Sequence, residues 1–83
     1  MIKYVNKEEL FFINEMENLE VKLQNHLLSV NNLSLEVKLL NQMARYYNNN
    51  YYLSVECLPP ITKMFTFKIT KENKILWEEA TFI

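Results

Sequence analysis

The chain has 83 residues, of which 49% are apolar and 23% charged, and its net charge is −1. That suffices for one small core but not two, and it excludes a disordered tail. No apolar run approaches the roughly 20 residues that cross a bilayer, and no block of like charges offers a dedicated phosphate-binding surface.

Met1 to Asn6 contain a lysine but no apolar stretch of the secretory kind, so an intracellular, cytoplasmic setting is expected. Asn6 and Glu9 have the spacing of a capping box, with Val5 and Leu10 placed as a hydrophobic staple. Glu8 and Glu9 suit the positive end of a helix dipole. Downstream, Phe12, Met16, Leu19, Leu23 and Leu27 recur at steps of three and four. This spacing predicts a helix over about residues 7–29.

Residues 30–48 admit three readings. Asn31 and Asn32 form a turn in the first, and Ser34 caps a second helix reaching about Tyr47. In the second the helix continues, because Phe12, Met16, Leu19, Leu23, His26, Val30, Leu33, Val37, Leu40, Ala44 and Tyr47 keep an unbroken a/d seam. Such a helix would be roughly 60 Å long and would need a partner chain. The third is a strand, since Leu33, Leu35, Val37 and Leu39 alternate with polar residues. Leu28, Leu35, Leu39 and Met43 lie off the seam, where cover from helix 1 and a sheet, or from a second copy, would use them.

After Asn48, Asn49 and Asn50, residues 51–58 read as a strand stopped by Pro59 and Pro60. Residues 63–70 form a second strand with Phe65, Phe67 and Ile69 on one face. Lys71, Glu72 and Asn73 then predict a three-residue turn, with Asn73 at positive φ. That turn sets Thr70 opposite Lys74, Ile69 opposite Ile75 and Phe67 opposite Trp77, and it puts Glu79 on the core face opposite Phe65. Lys68, Leu76, Glu78, Ala80 and Phe82 fall on the other face. The expected fold is one α+β domain over residues 1–83. Two N-terminal helices (a hairpin or one long coiled helix, residues 7–48) precede a three-stranded antiparallel sheet in residues 51–83.

The chain has no glycine, so phosphate-cradling loops, dinucleotide fingerprints and nucleophile elbows cannot be written with it. One histidine, His26, cannot build a multi-histidine metal site, and its place on the seam suggests a structural or interface role. Cys57 is the single cysteine and alternates with Leu53 and Val55, as a buried, inert thiol would. Asn32-Leu33-Ser34 spells a glycosylation sequon that chance explains. No catalytic residue, cofactor or metal ligand is expected, and the chain reads as a non-enzyme.

What remains is binding. Tyr46, Tyr47, Tyr51 and Tyr52 bracket the asparagine loop, and tyrosine offers interface area with a hydroxyl. Leu28, Leu35, Leu39 and Met43 suit a homodimer, and the last strand offers an edge to a partner strand. The leading expectation is a small interaction or inhibitor protein that docks on a larger protein. The alternative is single-stranded nucleic-acid binding through Lys63, Lys68, Lys71 and Lys74 beside Phe65 and Phe67. Abundant Asn, Lys, Ile, Tyr and Phe have A/T-rich codons, which points to a low-G+C bacterial, plasmid or phage gene.

Overall fold

Helices α1 (Lys7–Gln24) and α2 (Val30–Tyr47) precede strands β1 (Tyr51–Cys57), β2 (Met64–Lys71) and β3 (Lys74–Phe82). The computed structural model describes residues 7–47 (Tyr47 by its backbone alone), 50–57 and 63–83. Val5, Asn6, Asn48, Asn49, Leu58, Pro59 and Pro60, on which the staple, capping-box, loop and strand-stop expectations rest, lie outside the described residues.

The helical hairpin is the correct reading of the N-terminal half, and the continuous coil and the strand are both overturned. The break nevertheless comes earlier than expected. His26 takes a left-handed backbone with φ 58°. Its N–H donates to the Leu23 carbonyl at 3.1 Å, while the Leu27 N–H donates to that of Lys22 at 2.8 Å. These two bonds make a Schellman cap, which satisfies carbonyls that the helix end would orphan. Ser29 then starts α2, its Oγ accepting from the Asn32 N–H at 3.1 Å. Asn31 and Asn32 therefore lie in the first turn of α2 rather than in a turn, and Ser29 rather than Ser34 is the cap. Leu27, past the end of α1, leaves the apolar face and is exposed.

The sheet has the order β1-β2-β3 and is antiparallel throughout. Glu72 and Asn73 both have positive φ, 52° and 66°, and Lys71 pairs with Lys74. This is a two-residue turn of the primed kind, whose twist matches that of the flanking strands. The expected three-residue turn is thereby corrected. A bulge between Ile69 and Thr70 then makes Leu76 the extra residue of β3, so Ile69 faces Trp77, Phe67 faces Glu79 and Phe65 faces Thr81. The Phe67–Trp77 pair does not form. The turn and the bulge each move the register by one, so the predicted faces of Trp77 and Glu79 survive while their partners change. Glu79 is exposed, and Leu76 packs against the core instead of the outer face.

Both helices cover one face of the sheet. Phe12, Met16, Leu19 and Leu23 of α1 meet Leu33, Val37, Leu40 and Ala44 of α2 over Tyr51, Leu53, Phe65, Phe67 and Ile69. Burying a side chain of this kind contributes about 1.5–3 kcal/mol, so these residues carry most of the stability. Cys57 keeps the phase of Leu53 but is the last residue of β1, and it is exposed, contrary to expectation. Polar ties also join α1 to the sheet. The Thr81 hydroxyl donates to the buried Glu20 carboxylate, and Lys71 lies 3.8 Å from Glu9 and 5.2 Å from the centre of the Tyr51 ring.

Candidate functional site

The inward phase of α2 is filled by Leu33, Val37, Leu40 and Ala44, which leaves the opposite side for Leu35, Leu39 and Met43. These three are spaced four apart, so they line up along one side of the helix. Their exposures are 58%, 56% and 40%. The sheet does not cover them, since α2 turns Val37 and Asn41 toward β1. Met43 also shares a hollow of about 280 Å³ with Lys7, Glu8, Phe11 and Phe12, and Phe11 is itself exposed. The apolar surface thus runs from α2 onto the first turns of α1. Leu28 does not join it: half-buried, it packs against the core.

The tyrosines are not brought together as one patch. Tyr51 is buried, its ring 5.9 Å from that of Phe12, whereas Tyr46 and Tyr52 are exposed. Tyr52 stands on the outer face of the sheet beside Thr70, whose hydroxyl donates to the Tyr52 carbonyl at 3.3 Å. The side chain of Tyr47 lies outside the described residues.

The lysines and phenylalanines are likewise separated. Phe65 and Phe67 face the helices and are buried, while Lys68 alternates onto the outer face, 3.8 Å from Glu78. Lys71 is drawn to Glu9, and Lys63 and Lys74 are exposed. The expected basic-aromatic face is therefore divided between the two sides of one strand, as the period of two requires.

A second concave surface lies between α2 and β1. It encloses about 520 Å³, with Leu33, Val37, Val55 and Phe65 among its apolar lining and Lys38 and Arg45 on its helical wall. Asn41 spans it, donating from Nδ2 to the Leu53 carbonyl at 2.6 Å and accepting at Oδ1 from the Leu53 N–H at 2.8 Å. Sequence reasoning missed this residue. Its signal was present, because Asn41 follows Val37 by four and so falls in the inward phase of an otherwise apolar face.

Glu20 is buried, and its proton affinity is raised. Burial pushes its pKa upward, the Thr81 hydroxyl bond opposes that, and the charges of Glu79 and Glu17 add to the rise. Among the described residues no group of His, Cys, Asp and Glu is placed to hold a metal ion. His26 is exposed and serves the α1 turn. No helix among the described residues is long and apolar enough to cross a membrane. No family model, curated protein or solved structure matches the chain.

Proposed function

We propose that this chain is a small non-catalytic protein-interaction module that self-associates through the outer side of α2 and docks on a larger protein. The observation that supports the reading is the exposed row Leu35, Leu39 and Met43, continued by Phe11 on α1. A folded monomer scatters single apolar residues over its surface, whereas a contiguous row at helical spacing marks a contact face. α2 has 18 residues and is about 27 Å long, enough for a helix-to-helix seam. A standard interface takes about 800 Å² per partner, roughly an eighth of the 6220 Å² surface of the chain. Origin on a phage or other mobile element, and a role as an accessory or inhibitor, belong to the same reading and rest on composition alone.

Light scattering on the purified chain across a concentration series, with co-purification from the native host, tests it. Twice the mass of the chain is expected, and a monomer at high concentration that brings down no partner would sink the proposal. The single-stranded nucleic-acid reading loses the aromatic partners it named, since Phe65 and Phe67 lie beneath the helices.

A further inference from the structure

We infer that the groove between α2 and the edge of β1 is a docking site for an extended, acidic segment of a partner protein. The inference rests on the reading of the chain as an interaction module and gives it a second surface, separate from the helical row.

β1 is the first strand of the sheet, so among the described residues one of its edges meets no other strand. In an antiparallel ladder, residues alternate between pairs that exchange backbone bonds and pairs that do not. Leu53 spends both its N–H and its carbonyl on Asn41, so it belongs to the second kind and points these groups off the sheet edge. Val55 lies two residues on, opposite Phe67, and shares that phase. Its N–H and carbonyl therefore point into the same groove. Asn41 already behaves as a one-residue substitute for a neighbouring strand, and an extended chain would continue the pattern from Val55.

Charge and shape select the occupant. Lys38 and Arg45 stand on the groove wall, and among the described lining residues there is no Asp or Glu. Glu56, the nearest acid along β1, alternates onto the outer face. Seven helical residues separate the two cations by about 10 Å along the axis. Strand residues that share a face are two or four apart, about 7 or 13 Å, so with the reach of the Lys and Arg stems two carboxylates four apart on one extended segment can meet both. Between them, an apolar side chain would sit over Leu33, Val37 and Phe65. A helical ligand would leave the Val55 groups unused, and a nucleic acid would leave the apolar floor unused. The volume of about 520 Å³ lies inside the range of about 300–1,000 Å³ that bound ligands occupy.

The test is selection of a random ten-residue peptide library, displayed on phage, against the full chain. Enriched peptides should carry two Asp or Glu residues four apart with an apolar residue midway between them, the same-face positions of a strand. Measured by fluorescence anisotropy, they should bind the Lys38→Glu, Arg45→Glu double variant at least tenfold more weakly. On binding to the unaltered chain, the Val55 amide should gain protection from hydrogen exchange, a readout that needs no variant. Failure to enrich any peptide would overturn the inference. So would enriched peptides without negative charge, equal affinity for the double variant, or protection confined to Leu35, Leu39 and Met43. The solution mass of the same sample separates this inference from the reading beneath it. A dimer that enriches nothing removes the groove alone, and a monomer that binds acidic peptides removes self-association alone.

Discussion

The carboxamide of Asn41 makes its two hydrogen bonds to a single residue, Leu53, taking the N–H at 2.8 Å and giving to the carbonyl at 2.6 Å. The pair fixes α2 against β1 and occupies part of an edge that would otherwise invite uncontrolled strand pairing. Replacing Asn41 by Ala removes both bonds and leaves the Leu53 groups without a protein partner. A net loss of about 1–3 kcal/mol is expected at about 0.5–1.5 kcal/mol per bond. Urea denaturation measures it, and a change below about 0.5 kcal/mol would mean that water replaces the amide without penalty.

Glu20 should make stability depend on pH in the direction opposite to a salt-bridged acid. Its pKa is raised in the fold, chiefly by burial. The stability it contributes is therefore fully present below the ordinary carboxylate value and is lost as pH rises through the raised one. Glu20→Gln keeps an acceptor for Thr81 and removes the titration. In paired urea melts from pH 4 to pH 7, the wild-type chain should lose stability relative to the variant. A constant difference across that range would remove the idea that this carboxyl is desolvated.

His26→Gly should stabilise the chain. A left-handed backbone costs an L-residue with a side chain roughly 1–2 kcal/mol, and glycine avoids that cost at this helix-end position. Part of the gain is offset by the greater freedom of glycine in the unfolded chain. A net increase of about 0.5–1 kcal/mol is expected, read as a higher midpoint in thermal unfolding. A lower midpoint would show that the imidazole makes a contribution beyond its backbone conformation.

Leu39→Glu separates interface from core. The residue is exposed in the single chain, so folding stability measured at low concentration should change by no more than about 0.5 kcal/mol. The solution mass should fall to that of one chain, because a carboxylate at the centre of an apolar seam is buried without a partner. An unchanged mass would place any dimer contact elsewhere.

The element types were largely legible because amphipathic spacing reports which face is buried. Phe12, Met16, Leu19 and Leu23 at helical steps, and Phe65, Phe67 and Ile69 at alternate positions, are all in the core. The junctions were less legible, for a common reason. Without glycine, the left-handed positions fall to His26 and Glu72, residues that give no composition signal for a turn, and only Asn73 was anticipated. The a/d seam also runs through His26 and Val30 unbroken, yet both are exposed in the fold, so their spacing carried no report of burial. The Leu76 bulge was invisible for a different reason, since it depends on how the two-residue turn fits the strand twist. Of the proposed contact residues, Leu35, Leu39 and Met43 stand exposed while Leu28 and Tyr51 contribute to the core. That outcome turns on which side of α2 the sheet approaches, which periodicity alone does not specify.

The sheet order β1-β2-β3 has a kinetic consequence. Each strand pairs with its neighbour along the chain, and the two helices are joined by a short link, so every element finds its first partner by closing a short loop. Loop closure of this kind loses little entropy before contacts form, and chains built from local pairings cross their folding barrier quickly. The principal refolding phase should therefore take about milliseconds or less. The ties that span the whole sequence, Glu20 to Thr81 above all, should form late and govern how fast the chain comes apart rather than how fast it assembles.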